Sequence, residues 1–175
     1  MNEKRGSKIA QIWIETVIYT LIGLSIIALL ISIINPRINE LKDKTILTQT
    51  VESLNIINYK VIETLSSAGN TRNIGLKIKR GVYTIDSAND SFYFLLEDSS
   101  YMYSQINQTT PVNGYIDVLT LTNRDKYKVY FIINYSNYNL TYNDKDTEKV
   151  LTGASAAYNL IIENKGNKQL NFKLG

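Results

Sequence analysis

Cysteine and histidine are absent from this chain of 175 residues, and their absence excludes several kinds of function. Histidine is the usual general base near neutral pH, and cysteine supplies the thiolate nucleophile. Most zinc, copper and iron–sulfur sites use one of these two side chains. We therefore expect no transition-metal or redox cofactor, and apolar burial must stabilise the fold without disulfide bonds.

Motifs of other catalytic and metal-binding sites are also missing. No glycine-rich phosphate-binding motif occurs. Ser155 follows Gly153 by two residues, but a nucleophile elbow needs a second glycine and its triad needs a histidine. Asp144, Asp146 and Glu148 offer oxygens to calcium, yet their segment lacks the Gly and Glu positions of an EF-hand loop, which favours a solvated turn. The sequence thus predicts that the protein is not an enzyme and needs no cofactor.

Positive charge is concentrated near the N-terminus. The net charge is +3, and Lys4, Arg5 and Lys8 precede the first long apolar run. The rest of the chain is close to neutral, which is not the pattern of a nucleic-acid-binding protein. We expect no nucleic-acid partner.

Residues 16–34 carry no charge and are apolar on every face of a helix. At ~1.5 Å per residue such a helix is roughly 29 Å long, which matches the ~30 Å core of a bilayer. A buried soluble helix and a cleaved secretory signal are the alternatives, but the apolar region of a signal is shorter and ends at small residues. The basic residues before the run predict a cytoplasmic N-terminus and an extracytoplasmic remainder.

Helical periodicity continues after this run. Pro36 predicts a kink or short break, and Gly69 or Asn70 provides a helix stop. Between them, apolar residues recur at spacings of three and four, which predicts an amphipathic section. We expect one long helix from about Gln11 to Ser67. The predicted stripe is Ile38, Leu41, Leu47, Val51, Leu54, Ile57, Val61, Ile62 and Leu65.

After Thr71 the apolar period changes to two, as in strands with one buried face. Strands are predicted at VYTID, at FYFLLE and along residues 127–135, and a hairpin joins AYNLIIE to QLNFKL. The predicted fold class is α+β, a long N-terminal membrane-spanning helix followed by an all-β, antiparallel, sandwich-like domain. Its parts are a basic cytoplasmic leader (residues 1–10), a transmembrane helix (11–35), an amphipathic continuation (36–69) and a β domain (70–175).

Two features of the β region bear on surface recognition. Thirteen tyrosines occur in the chain, and strand propensity explains them, although a carbohydrate- or partner-binding surface is the alternative. Asn-x-Ser/Thr sequons permit N-glycosylation, but a sequence so rich in Asn, Ser and Thr contains some by chance. The sequons are at Asn89, Asn107, Asn134 and Asn139.

The segment KIAQIWIE at residues 8–15 places an acid, Glu15, at the start of the apolar helix. A carboxylate at the centre of a membrane costs about 2.5–3.5 kcal/mol on insertion scales and less near the interface. Glu15 either lies at the cytoplasmic interface, aided by the positive end of the helix dipole, or meets a cation inside an assembly.

This N-terminal pattern resembles that of archaeal type IV pilin-like precursors, which carry a class III signal peptide. Those precursors have a short basic leader, a small residue followed by Gln, Glu at the fifth mature position and an unbroken apolar helix. The resemblance implies cleavage between Ala10 and Gln11 by a membrane prepilin peptidase, and it makes Glu15 the fifth mature residue. It covers roughly residues 4–34, and beyond them only the order of helix and β domain is similar.

One position departs from the family pattern. The family usually has a basic residue beside the small one, whereas Ile9 separates Lys8 from Ala10. Cleavage after Gly6 is the alternative, and it would place Glu15 ninth in the mature chain.

The resemblance implies a pilin-like fold and a structural subunit, major or minor, of a cell-surface filament. Its partners would be copies of itself or other pilins, membrane lipid and the prepilin peptidase. The alternative is a permanently anchored, single-pass surface protein whose extracytoplasmic β domain binds a ligand.

Overall fold

The computed structural model describes the backbone of residues 3–175 and the side chains of residues 13–175. The chain divides into two compact units, Met1–Asn39 and Glu40–Gly175. One helix, α1 (Glu3–Leu65), contributes to both units, and only strands follow it in the described chain. The predicted α+β fold, with a long apolar N-terminal helix and a β domain, is confirmed.

Ten strands make up the described β region. They are β1 (Thr71–Leu76), β2 (Val82–Asp86), β3 (Ser91–Ser99), β4 (Thr109–Val112), β5 (Ile116–Asn123), β6 (Lys126–Asn134), β7 (Asn139–Tyr142), β8 (Lys149–Leu151), β9 (Tyr158–Gly166) and β10 (Gln169–Leu174).

The helix differs from its prediction in two respects. It is already helical at Glu3 rather than near Gln11, and it ends at Leu65, close to the predicted Ser67. Pro36 lies inside it without interrupting the helix, so the short break that proline can cause is not present. The kink expected at Pro36 stays a prediction.

The strands form a four-stranded sheet, β1-β9-β10-β7, and a six-stranded sheet, β4-β5-β6-β3-β2-β8. Neighbouring strands are antiparallel except β7 and β10, which pair in parallel from Asn139 beside Gln169 to Tyr142 beside Phe172. The predicted antiparallel arrangement is thus confirmed for every pair of described strands except this one. The alternation of apolar residues indicates which face of a strand is buried, but it does not indicate whether the neighbouring strand runs parallel or antiparallel.

The core contains the second part of α1 as well as both sheets. Five residues of the predicted stripe are at most 8% exposed, whereas Ile38, Leu41 and Ile62 are exposed, so the stripe is narrower than predicted. Phe92 on β3 stacks on Phe172 on β10 with ring centroids 5.8 Å apart, which joins the two sheets directly. The buried stripe residues are Leu47, Val51, Leu54, Ile57 and Val61.

The predicted turn before VYTID depends on a glycine. Gly81 has φ +84°, in the left-handed region, and a Cβ added there would lie 2.4 Å from the Phe94 ring. No other residue fits both the backbone and the space, so Gly81 allows β2 to pack on β3.

The predicted C-terminal hairpin is confirmed, with a tighter turn than expected. β9 continues to Gly166, and Asn167 and Lys168 form the turn with φ angles of 48° and 62°. Two consecutive positive φ angles are typical of the turns that match the twist of paired strands. A register shift between Gln169 and Leu170 follows the turn.

Candidate functional site

The N-terminal part of α1 presents an exposed apolar surface. From Trp13 to Ile34, its exposed large apolar side chains keep between 38% and 73% of their surface accessible. A helix packed on a soluble core would bury such side chains along one face. This helix is thus long and apolar enough to span a membrane near the N-terminus.

Two polar side chains within this apolar part are paired with the helix backbone. Thr20 Oγ1 donates to the Thr16 carbonyl at 2.8 Å, and Ser25 Oγ donates to the Leu21 carbonyl at 2.8 Å. Such pairing is what a polar group needs where no water can reach it. A Cβ added at Gly23 would meet no atom within 4 Å, so the backbone there is open to another helix.

The predicted processing and assembly residues lie on this helix. Ala10 and Gln11 have a helical backbone, but they lie outside the residues whose side chains are described. Glu15 is exposed and lies four positions after Gln11. Cleavage after Ala10 or Gly6, and a role for Glu15 in assembly, stay predictions.

Residues 40–65 of α1 are joined to the β domain by a buried carboxylate. Asp43 is buried, and its two oxygens accept hydrogen bonds from Arg80 Nη1 and, at 2.7 Å, from the Ser100 backbone N–H. Arg80 Nη2 also donates to the Asp98 carbonyl at 3.1 Å. A charge in this position is tolerated only with such partners, so Asp43 ties the helix to the residues flanking β2 and β3.

A second buried polar contact lies farther along the helix. The Tyr135 hydroxyl donates to Asn58 Oδ1 at 3.2 Å, and both residues are buried. Burial raises the pKa of the Tyr135 hydroxyl above its ordinary value, and the nearby Tyr115 raises it further. The Tyr115 hydroxyl itself donates to Asn55 Oδ1 at 2.7 Å.

Asn164 on β9 caps the end of the helix. Its Nδ2 donates to the carbonyls of Ser67 at 3.0 Å and Thr64 at 3.3 Å, and its own carbonyl accepts from the Gly69 N–H at 2.7 Å. The last carbonyls of a helix have no partner within the helix, so the β domain supplies one here.

The burial of the two polar helix residues, Asp43 and Asn58, was not predicted from the sequence because only apolar residues were considered along the helix. Asp43 and Asn58 share the face of Leu47, Leu54 and Val61, at helical spacings of three and four. A polar residue that continues an apolar stripe was the signal that could have identified them.

The sequons occupy two different environments. At Asn107 and Asn134 both the asparagine and the Ser or Thr two residues later are exposed. At Asn89 and Asn139 the asparagine is exposed, but the hydroxyl residues, Ser91 and Thr141, are buried. Asn89 Nδ2 also donates to Asp86 at 2.8 Å, and Thr141 Oγ1 donates to Asn171 at 3.1 Å.

The other candidates from the sequence do not assemble into a site. Ser155 lies in an exposed segment between β8 and β9. Asp144 pairs with Lys165 at 3.1 Å, and its backbone N–H donates to Asn171 Oδ1 at 2.9 Å, as in a structural turn. Within the described residues, no three side chains of the His, Cys, Asp and Glu types converge on a possible metal position.

Comparisons with protein-family models, with curated proteins and with solved structures found no match to this chain.

Proposed function

We propose that this chain is a structural subunit of an archaeal type IV pilus-like surface filament and that a prepilin peptidase processes it. The observation that supports the proposal best is the uncovered apolar surface of α1 from Trp13 to Ile34. Such an exposed apolar surface needs an apolar partner. Membrane lipid is that partner before assembly, and the same helices of other copies, or of other pilins, replace it in the filament.

The energetic reason is the cost of exposing this helix to water. Burying one Leu, Ile or Phe side chain is worth about 1.5–3 kcal/mol relative to leaving it in water. The apolar part of α1 carries more than ten such side chains, so a copy leaving the membrane must transfer them directly to another apolar environment. Packing of many identical helices provides that environment, and it requires no catalytic residue.

The Glu40–Gly175 unit, which contains the β domain, remains outside the membrane in this proposal. The basic residues before the apolar run orient the N-terminus toward the cytoplasm, so the β domain is extracytoplasmic. Its core includes residues 47–61 of the same helix, and therefore the domain stays attached to the assembly helix without a separate linker.

N-terminal sequencing of the chain recovered from cells tests the proposal. We expect a mature N-terminus at Gln11 and recovery of the chain in filaments sheared from the cell surface. A mature N-terminus at residue 7 would place the cleavage after Gly6 and would still support processing by a prepilin peptidase. A full-length chain that begins at Met1 and stays in the membrane fraction would contradict the proposal and support the permanently anchored, ligand-binding surface protein.

A further inference from the structure

Three connections of the β domain lie together where α1 enters the second compact unit. Asp43 accepts hydrogen bonds from Arg80, which precedes β2, and at 2.7 Å from the Ser100 N–H, which follows β3. Asn123 at the end of β5 donates to Asp98 at 2.9 Å, so the β5–β6 turn lies there as well. We call this part of the unit the entry end, and it consists of residues 40–44, 77–81, 97–103 and 123–128.

The entry end has a net charge of +3, because eight of its side chains are basic and five are acidic. Two of the acids are paired within it, Asp43 with Arg80, and Glu97 with Lys128 at 2.9 Å. The other three acids are Glu40, Asp98 and Asp125. Six exposed cations have no ion pair among the described side chains, and they are Lys42, Lys44, Lys77, Lys79, Arg124 and Lys126.

An exposed apolar residue lies at the same end, between two tyrosines. Met102 is 47% exposed, whereas Tyr101 and Tyr103 are half-buried and pack against the core. The Tyr103 ring lies edge-on to Phe131 with centroids 4.8 Å apart, and the Lys44 ammonium lies 5.6 Å from the centroid of the Tyr101 ring. The two tyrosines therefore fix the segment that exposes Met102, and they place it beside a cation. Tyrosine and lysine side chains are both favoured at the boundary between lipid and water.

The entry end follows the apolar run of α1 after only a few residues. The uncharged run ends at Ile34, and the second unit begins at Glu40. Even when fully extended, at ~3.5 Å per residue, the chain between these two residues reaches only about 20 Å. In a protein whose apolar helix spans a membrane, chain length alone therefore keeps the entry end near the lipid surface.

We propose that the entry end binds anionic lipid headgroups and that Met102 inserts between them. A negative lipid surface attracts cations only within about one Debye length, ~10 Å at 0.1 M salt, and the short connection to the helix keeps the entry end near that range. The helix already holds the domain at the membrane, so a contact too weak to recruit a free protein is sufficient here. The inference rests on the membrane span alone and applies equally to a filament subunit and to a permanently anchored protein.

Fluorescence of a single labelled cysteine in the full chain tests this contact, because the natural chain has no cysteine. Met102→Cys carries a label whose emission shifts to the blue in apolar surroundings. The chain is placed at low density in vesicles that contain a lipid with a spin-labelled, quenching headgroup. In an equal mixture of phosphatidylcholine and phosphatidylglycerol we expect a blue shift and strong quenching. Quenching is expected to fall several-fold in phosphatidylcholine alone, and also in the mixture at about 1 M salt, where the Debye length is ~3 Å.

Asn137→Cys is the matched control at the far end of the same unit. Asn137 is exposed and lies two residues after Tyr135, whose hydroxyl donates to Asn58. Asn58 follows Asp43 by fifteen positions on α1, which is about 22 Å along the helix axis at ~1.5 Å per residue. The label at residue 137 is expected to stay unshifted and unquenched in every vesicle. Equal quenching of the labels at residues 102 and 137 would overturn the proposal.

Charge substitutions test the recognition of headgroups. Lys79→Gln with Lys126→Gln, added to Met102→Cys, lowers the net charge of the entry end to +1 and is expected to reduce quenching in the anionic vesicles several-fold. Lys145→Gln with Lys168→Gln removes the same charge at exposed positions outside the entry end, and quenching is expected to stay unchanged. Equal quenching in the two sets of variants would overturn the proposal, as would equal quenching in neutral and anionic vesicles. The salt and lipid series keep the natural charges, so they test the contact without these substitutions.

Failure of this contact is distinguishable from failure of the proposed function, because the vesicles contain neither peptidase nor filament. Flotation of the same vesicles shows whether the chain is bound to the membrane. A chain that does not float would reject the membrane span together with this contact. A floating chain without quenching at residue 102 would reject only the contact. A blue shift at residue 102 that requires a high density of chains, and not anionic lipid, would assign the entry end to a neighbouring copy and would also overturn the proposal.

Discussion

The carboxylate of Asp43 on α1 and the guanidinium of Arg80 just before β2 form an ion pair with very unequal exposure. The Asp43 side chain is 2% exposed, whereas the Arg80 side chain is 40% exposed. The partly exposed Arg80 side chain therefore places its positive charge beside a carboxylate that is shielded from water. The pair joins residues 37 positions apart in the chain and helps to fix the helix on the β domain.

Replacing Arg80 with alanine is expected to destabilise the Glu40–Gly175 unit. The buried Asp43 would keep its bond from the Ser100 N–H but lose its charged partner. A buried polar group left without a partner costs about 1–3 kcal/mol, and more when it is charged. Chemical unfolding of the full chain in detergent measures this loss. Lys79→Ala is the matched control, because Lys79 is an exposed neighbouring cation with no described ion pair. Equal destabilisation by both variants would contradict the role given to Asp43.

The buried phenol of Tyr135 predicts a loss of stability at alkaline pH. Its folded pKa is raised above the ordinary value of 10.0, so the folded chain keeps this proton where the unfolded chain loses it. The unfolded state then binds fewer protons, and the free energy of unfolding falls as pH rises above about 10, by up to about 1.4 kcal/mol per pH unit. Below that pH the contribution is fully present.

The variant Tyr135→Phe separates the hydrogen bond from the titration. At pH 8 it is expected to cost about 1 kcal/mol, because Asn58 Oδ1 loses its donor. Above pH 10 its unfolding free energy should decline less steeply than that of the natural chain. Asn58→Ala is the control that also loses the hydrogen bond but keeps the phenol and its alkaline slope. Urea unfolding at pH 8 and pH 11 measures both effects, and an unchanged slope in Tyr135→Phe would refute the assignment.

The sequence predicted those elements in which burial leaves a clear period. β3 and β6 alternate between buried and more exposed residues because one face lies in the core, and the apolar helix was evident from its uncharged length alone. The short strands β4, β7 and β8 have only three or four residues, which is too few to show a period. Their positions depend on pairing with distant strands, which a local pattern does not contain.

The candidate site was predictable in part for the same reason. Exposure of α1 from Trp13 to Ile34 agrees with a helix that is apolar on every face. The burial of Asp43 and Asn58 was not predicted, because their partners Arg80 and Tyr135 are 37 and 77 residues away. The apolar character of the second face of β5 and β6 was also not predicted, since residues such as Leu119 and Ile132 alternate with buried ones.

The environments of the sequons predict which asparagines a glycosylating enzyme modifies on the folded domain. Such an enzyme must reach both the asparagine and the hydroxyl residue two positions later. We expect glycans at Asn107 and Asn134. We expect none at Asn89 and Asn139, because the Ser or Thr two positions later is buried. Mass spectrometry of peptides from cell-surface material measures occupancy at each site. Full occupancy of Asn139 would contradict modification after folding, because Thr141 lies within β7 and donates to Asn171.

The electrostatics of Glu15 predict an effect on assembly rather than on folding. Cleavage after Ala10 would create a charged amine at Gln11, about 6 Å along the helix axis from Glu15 of the same copy, which is poor geometry for a contact. The amine of an incoming neighbour is the better partner. At ~4 Å the attraction is about 1 kcal/mol in water and several times larger at the effective dielectric of a protein site. In the proposed filament this pair would select the stagger of adjacent helices, while apolar packing would supply most of the affinity.

Glu15→Gln is expected to keep membrane insertion, cleavage and the β-domain fold while sharply lowering the amount of surface filament. Removing a charge from the helix makes insertion easier, so lower filament abundance cannot arise from failed insertion. Glu52→Gln is the matched control, since Glu52 is an exposed acid on the same helix within the Glu40–Gly175 unit. The measurement compares sheared filament with mature chain retained in the membrane for both variants. Equal filament levels in Glu15→Gln cells, Glu52→Gln cells and cells with the natural chain would contradict the pairing, because losing a contact that fixes the helix stagger must slow assembly. Glu15 would then merely lie at the cytoplasmic membrane interface.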